Sequence, residues 1–139
     1  MLYEIMCIAM AIYWEARGES LEGQFAVGQV VMNRVRDPRY PSDACSVVYD
    51  AHYYTWDPQL PVRNQCQFSF YCDGKSDQPQ DHVPWRVAQL VAAAVYEQRA
   101  DPIVGDATHY HALRVQPHWA VGGEVVARIQ DHVFYTGVQ

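Results

Sequence analysis

The chain has 139 residues, of which half are hydrophobic and 19% are charged, so it is long and apolar enough to build one folded domain around a buried core. Its formal net charge is −6, with only ten lysines and arginines. A nucleic acid or an anionic membrane surface attracts a basic protein face, and this composition argues against both partners.

The N-terminal segment predicts a helix over residues 2–16 that is apolar on nearly all sides, which is typical of a central, buried helix. Gly18 follows as a helix-ending residue. The start of the chain lacks the basic region of a signal peptide, and Glu4 and Glu15 interrupt the apolar stretch too early for a membrane span. We therefore expect synthesis in the cytoplasm without a visible signal peptide, and no integral membrane segment.

A second helix is predicted after Ser20, a favourable N-cap residue. Arg34 and Arg36 suit the C-terminal end of its dipole, and Pro38 stops the segment. Residues 44–50 predict a further helical turn or two.

Residues 52–82 change character, since they contain many aromatic residues and no helical period. The stretch QCQFSFYCDG predicts a short strand or a turn-rich loop, with Asp73-Gly74 as its turn. A long irregular segment inside a small domain is usually functional.

The C-terminal part predicts a third long helix, with Pro84 in its first turn and an end near residue 99. The remainder is typical of strands arranged around a Gly122-Gly123 turn. The predicted fold class is therefore α+β and mainly helical, with a small β subdomain and one domain over residues 1–139.

The four cysteines allow several states. Cys7 lies in the first apolar segment and is interpreted as a buried residue that fills space in the core. A disulfide that includes Cys66 is favoured, with Cys72 as partner if the chain turns between them, or Cys45 if it does not. That state would leave two free thiols, and the alternative is that all four cysteines are free.

Glu15 stands at the end of the apolar helix, beside Tyr13 and Trp14. A carboxyl group surrounded by apolar side chains loses solvation when it ionises, so its pKa rises and it can serve as a general acid near neutral pH. Alternatively, Glu15 begins an exposed polar loop or pairs with Arg17.

A series of motifs runs through the chain in order: IYWEARGESLEGQFAVGQVVMNRV, YPSDACSVVY, CQFSF, PW, THYH, PHW and HVFY. With these motifs the chain resembles the SleB/CwlJ-type, spore-cortex-lytic cell-wall hydrolases, from about residue 9 to residue 135. The Glu-Ala-Arg-Gly-Glu block and the Asn-Arg-Val that follows are the most specific part.

The resemblance implies a compact lysozyme-like fold and cleavage of peptidoglycan glycan strands, with Glu15 as the catalytic acid. Family members are described as lytic transglycosylases, which cut the MurNAc–GlcNAc bond and leave a 1,6-anhydro end. One glutamate then suffices as acid and base. The alternatives are a muramidase-type hydrolase with a second carboxylate, drawn from Glu19, Asp73, Asp81 and Asp131, or a non-catalytic glycan-binding protein on the same fold.

Under this resemblance the CQFSF segment would line a glycan groove. Gln67 and Ser69 would bond sugar hydroxyls and Phe68 would stack on a ring, unless Phe68 is a core residue. Tyr110 and His111 are the other predicted substrate-binding residues, with a structural role as the alternative for the histidine.

The THYH motif also raises a metal hypothesis. His109 and His111 share one face of a predicted strand and could bind zinc with His118, His132 or a cysteine. The spacing matches no strong zinc signature, and we predict no metal and no cofactor.

The resulting prediction is a single-domain, monomeric peptidoglycan-cleaving enzyme that acts on the bacterial cell wall. An endolysin-like use and a bacteriophage origin would fit a chain made without a visible signal peptide.

Overall fold

Helix α1 is the centre of the fold. In the computed structural model, which describes all residues 1–139, this helix spans Leu2–Ala16, as the sequence predicts. Its side chains are buried on most sides, Ile8 and Ile12 completely. The helices α2 (Leu21–Arg36), α3 (Ala44–Val48) and α4 (His82–Tyr96) all pack against it. An apolar helix surrounded by other helices is rigid, and it gives the residues at its C-terminal end a fixed position.

Helix α2 spans Leu21–Arg36 and begins at the predicted cap, where the Ser20 hydroxyl accepts a hydrogen bond from the Gly23 amide at 3.2 Å. It contacts both α1 and α4. A Cβ atom at Gly28 would lie 3.1 Å from a methyl group of Ile12 and 3.1 Å from one of Val95. The glycine therefore allows the three helices to approach closely.

Two further helices complete the helical part. Helix α3 spans Ala44–Val48, and helix α4 spans His82–Tyr96. The sequence predicted that α4 would continue to about residue 99. The helix ends earlier because Gln98 adopts a left-handed backbone conformation with φ of 56°. None of the helices has both the length and the apolar character needed to cross a bilayer.

The segment after α3 forms an antiparallel hairpin, with β1 over Ala51–Tyr54 and β2 over Asp57–Cys66. The prediction of an irregular segment was wrong for these residues. The ladder has two register shifts, and Pro61 stands opposite Tyr53. Because a proline cannot donate to a ladder and the shifts break the alternation of side chains, the sequence gives little strand signal here. The predicted turn-rich part is a 3-10 helix, Ser69–Cys72.

A second antiparallel sheet contains β3 (His109–Ala112), β4 (Glu124–Ile129) and β5 (His132–Thr136), in the order β3-β5-β4. Strands were predicted in this region, but their turn was misplaced. Gly122 ends a 3-10 helix over His118–Gly122, whereas the β4–β5 turn is formed by Gln130 and Asp131. Gln130 takes a φ of 52°, which its residue type does not signal.

The predicted fold class, α+β with dominant helices and small β elements, is confirmed. The prediction of at least two free thiols was wrong. All four cysteines are paired, in the disulfides Cys7–Cys45 and Cys66–Cys72. The favoured Cys66–Cys72 bridge is present because the 3-10 helix turns the chain between its ends. The interpretation of Cys7 as a free core residue was wrong, because the packing of α3 on α1 brings Cys45 to it.

Candidate active site

Glu15 is the last residue but one of α1, and it opens into a cavity of about 560 Å³ between the helical part and the β3-β5-β4 sheet. The α1–α2 turn, the 3-10 helix after β2, and strands β3 and β5 contribute the walls. The lining residues are Trp14, Glu15, Ala16, Arg17, Gly18, Glu19, Ser69, Tyr110, His111, Ala112, Arg114, Val115, Asp131 and His132.

The Glu15 carboxyl is poised to retain a proton. Burial raises its pKa above the ordinary value for a glutamate, and the hydrogen bond that it accepts from Tyr110 opposes this rise to a smaller extent. The Tyr110 hydroxyl lies 2.7 Å from Glu15 Oε1. This carboxyl is held in a fixed orientation at the cavity wall, as a general acid must be.

Tyr110 reaches Glu15 from the middle of β3, where it pairs with Phe134 of β5. Its ring lies between those of Phe134 and His132, at centroid distances of 5.5 Å and 5.3 Å. Burial, followed by the neighbouring Glu15 carboxyl, raises the pKa of the phenol well above its usual range. Tyr110 therefore stays protonated and donates to Glu15 throughout the working pH range.

Replacing Tyr110 with phenylalanine should lower the rate of glycan cleavage about tenfold, the equivalent of one hydrogen bond to a charged group. The lost bond favours ionised Glu15, so its removal raises the pKa of Glu15 further. Because the acid works when protonated, the alkaline limb of the pH–rate profile should move to higher pH. An alkaline limb that stays in place or moves to lower pH would contradict this role of Tyr110. Tyr53→Phe, which deletes a hydroxyl bonded to the Tyr49 carbonyl outside the cavity, is the matched control.

The CQFSF segment is only partly at the site. Ser69 lines the cavity, while Gln67 is exposed and accepts a hydrogen bond from Arg34 at 3.2 Å. Phe68 is 3% exposed and belongs to the main core, with the Arg34 guanidinium over its ring. Its burial leaves no ring face for a sugar, which argues against the predicted stacking role and favours the core alternative. Phe70 is also buried.

Trp14 and Tyr110 are the aromatic residues in the cavity wall. Trp14 stacks on Phe70, and its indole N–H donates to the Asp77 carbonyl at 2.9 Å. Tyr13, the residue before Trp14, is completely buried, and its hydroxyl accepts hydrogen bonds from the Gln80 and Asp81 amides. Tyr13 therefore anchors the chain before α4 and is not part of the cavity wall.

The histidines of THYH lie on the face of β3 opposite Tyr110, and both rings contact Trp119. His111 also reaches the edge of the cavity, and its Nε2 lies 2.8 Å from the Tyr135 hydroxyl. His132, a proposed partner for zinc, is on the Tyr110 side of the sheet. No group of three or more histidine, cysteine or acidic side chains is arranged to hold a metal.

Treatment with a chelator at constant ionic strength should therefore leave glycan cleavage largely intact, because Glu15 can transfer the proton without a metal. Thermal stability should be followed in parallel, so that any structural effect of the chelator is recognised. Loss of activity that zinc alone restores, with stability unchanged, would revive the histidine hypothesis.

Of the candidate second carboxylates, Glu19 and Asp131 line the cavity and Asp73 and Asp81 do not. Glu19 Oε1 accepts a hydrogen bond from the Asp131 amide at 3.2 Å and lies 3.3 Å from His132 Nδ1. Burial lowers the pKa of His132, more than Glu19 raises it, so the ring is neutral near pH 7. Asp81 instead forms a salt bridge with Arg17 at 2.6 Å.

Comparison with known families decides the classification. The sequence model of the family described as Cell Wall Hydrolase matches residues 18–135. The chain belongs to this family. The match begins three residues after Glu15, so the assignment of Glu15 rests on the geometry of the cavity and on the resemblance of the Glu-Ala-Arg-Gly-Glu block.

Relatives of this cell wall hydrolase support the same classification. Spore cortex-lytic enzymes of Bacillus subtilis and Halalkalibacterium halodurans are 38% identical to it over 52 residues, which is 37% of this chain. The aligned part spans 17% and 16% of the length of those two relatives.

Solved structures show the same fold. The catalytic domain of the germination-specific lytic transglycosylase SleB from Bacillus anthracis matches with a TM-score of 0.71 at 24% identity, covering 96% of this chain and 93% of that one. The catalytic domain of SleB from Bacillus cereus matches with a TM-score of 0.64 at 23% identity, covering 96% and 89%. At these identities the likeness establishes the fold.

Two cavity residues of this cell wall hydrolase were missed as site candidates. Arg114 follows β3 directly, and His132 begins β5 and was considered only as a zinc ligand. Both become part of the site because β3 and β5 are adjacent. The sequence signal that could have found them is their position, since His132 is the first residue of the HVFY motif and Arg114 lies three residues after THYH.

Proposed function

We propose that this cell wall hydrolase is a lytic transglycosylase that cleaves the MurNAc–GlcNAc bond of peptidoglycan, with residues 1–139 acting as one catalytic domain. The observation that carries the proposal is the Glu15 carboxyl. Burial raises its pKa, Tyr110 holds it at 2.7 Å, and it faces a cavity of about 560 Å³. A cavity of this size accommodates part of a glycan strand.

In the proposed reaction, Glu15 donates its proton to the glycosidic oxygen and the bond to the anomeric carbon breaks. The 6-hydroxyl of the same muramic acid then attacks that carbon, and its proton passes to Glu15. The glutamate is thereby restored, no water is consumed, and the product carries a 1,6-anhydro ring. Holding the sugar so that its own hydroxyl is the nearest nucleophile provides a large effective concentration.

The remaining roles follow from position. Tyr110 orients Glu15, Ser69 and His111 offer polar groups at the cavity wall, and Gln67 is an exposed amide two residues before Ser69. We propose these four as the substrate-contacting set. Phe68 lies in the main core, where it fixes the position of the segment that carries Ser69.

A hydrolase mechanism is the second candidate, because Glu19 and Asp131 line the same cavity as Glu15. Either carboxylate could activate a water molecule. Glu19 is already engaged by the Asp131 amide, and its side chain is only 10% exposed. We therefore favour the mechanism with a single glutamate.

The proposed partner is the glycan strand of the cell wall, approached by a monomer. A bacteriolytic, endolysin-like use follows from the same activity, and lysis of whole cells when the protein is added from outside would support it. The family and structure comparisons concern the catalytic fold, and the endolysin-like use is a proposal.

Incubation with purified, insoluble peptidoglycan tests the proposal. We expect soluble muropeptides to be released, with a fall in turbidity. Sedimentation of the protein with the wall, without any released fragment, would instead identify a glycan-binding protein. Mass spectrometry of the fragments then separates the transglycosylase from the hydrolase.

A further inference from the structure

A second cavity, of about 480 Å³, adjoins the Glu15 cavity. The two share His111 and Val115 in their walls. The second cavity lies between the segment after β3 and the β4–β5 sheet, and it is lined by His111, Leu113, Val115, Gln116, Pro117, His118, Ala120, Val121, Arg128, Val133 and Tyr135. A substrate bound at Glu15 could therefore extend into it past His111.

The wall of this second cavity combines polar groups with apolar side chains that face solvent. Leu113 is 47% exposed, Val115 is 44% exposed and Val121 is 90% exposed. These side chains contribute nothing to the core. Apolar groups concentrated around an open cavity, with a few polar groups among them, are typical of a ligand site.

Each of the two cavities is also lined by an arginine that forms no salt bridge. Arg114 lines the Glu15 cavity and Arg128 lines the second one. Exposed arginines without a salt bridge also occur elsewhere, at Arg36, Arg63 and Arg86, but Arg114 and Arg128 are the two that line these cavities. In a chain of net charge −6, two exposed and unpaired cations beside one continuous groove indicate an anionic group in the ligand.

We propose that the second cavity binds the peptide stem that muramic acid carries on its lactyl ether. This inference rests on the proposed function. The sugars of the strand offer neutral hydroxyl groups, whereas the stem combines methyl groups with free carboxylates. The methyl groups match Leu113, Val115 and Val121, and the carboxylates match Arg114 and Arg128. The enzyme therefore prefers stem-bearing glycan to bare glycan.

Two substrates and three variants test this preference. The substrates are soluble glycan fragments with intact stems and the same fragments after an amidase has removed the stems. The variants are Arg128→Gln, Arg114→Gln, and Arg86→Gln as the matched control. Arg86 is an exposed arginine on α4 that lines neither cavity, so it reports the effect of losing one positive charge.

The readout is the ratio of kcat/KM for the stem-bearing substrate to that for the bare one. We expect the ratio to exceed one for the unmodified protein and to fall about fivefold with each cavity variant, mainly through KM, as is usual for an exposed charge pair. It should stay constant for Arg86→Gln.

Equal losses on both substrates would overturn the proposal and assign the second cavity to the sugar chain itself. A ratio unaffected by Arg128→Gln and Arg114→Gln would overturn it as well. Absence of cleavage of either substrate by the unmodified protein would be a different result, since it would refute the proposed function.

Discussion

Replacing Glu15 with glutamine should lower the rate of peptidoglycan clearing about 100- to 10,000-fold, the usual contribution of a general acid–base group. Glutamine keeps the size of the side chain and can still accept the hydrogen bond from Tyr110. It cannot transfer a proton, so only the chemistry is removed. Turbidity assays with purified walls measure the effect, and activity within a few-fold of the unmodified protein would contradict the assignment.

The same variant should be at least as stable as the unmodified protein, which separates catalysis from folding. Since burial raises the pKa of Glu15 in the folded state, ionisation opposes folding. The stability that the protonated form provides is complete below the unfolded pKa, near 4.5, and is lost as the pH rises through the higher folded pKa. The melting temperature of Glu15→Gln should therefore exceed that of the unmodified protein by a margin that grows over this range.

Glu124→Gln is the control for these measurements. Glu124 is exposed on β4 and lies outside the cavity. Its replacement should change neither the rate of clearing nor the pH dependence of stability. A margin for Glu15→Gln that stays constant with pH would show that the carboxyl is well solvated in the folded protein, and a margin that shrinks with rising pH would show that folding lowers its pKa.

Removing the Cys7–Cys45 disulfide should lower the free energy of unfolding by about 4 kcal/mol, as expected for the entropy of closing its loop. The two cysteines are 38 residues apart in the sequence, whereas Cys66 and Cys72 are 6 apart, and removal of that shorter link should cost about 2 kcal/mol. The longer link ties α1, which carries Glu15, to α3. Its loss is therefore the more damaging one.

Denaturant unfolding of Cys7→Ala/Cys45→Ala and Cys66→Ala/Cys72→Ala measures both losses. Thiol titration of the unmodified protein, denatured without reductant, should find no free thiol. Two free thiols would show that only one bridge forms, and a larger loss for the shorter link would show that its loop does more than restrict the unfolded chain.

The helical part of the fold could be predicted from the sequence because its signals are local. Apolar periodicity placed α1 at its observed bounds, and the Ser20 cap gave the start of α2. The end of α4 was missed because it depends on a left-handed glutamine, Gln98, for which the sequence has no preference. The hairpin and the Gln130-Asp131 turn were missed for the same kind of reason, since pairing partners rather than residue types determine them.

Of the candidate site, the sequence could point to Glu15 and Tyr110 as candidates but could not predict their contact. Glu15 stood out as a carboxyl group at the end of an apolar helix, and Tyr110 as the side chain opposite the two histidines of THYH. The hydrogen bond between them joins residues 95 positions apart, through the packing of β3 beside α1. For Phe68 the sequence left two roles open, because a short segment does not show which side chains are buried. The pairing of Cys7 was missed because its partner comes from another helix.

Mass spectrometry of muropeptides released in water enriched with oxygen-18 tests the central proposal most directly. If Glu15 transfers the proton and the 6-hydroxyl of muramic acid attacks, the fragments should be lighter by one water than the products of a muramidase. They should carry anhydro ends and contain no oxygen-18. Reducing-end fragments that contain oxygen-18 as the main product would contradict this mechanism, and they would show that a second carboxylate, with Glu19 or Asp131 as the candidate, activates water in the same cavity.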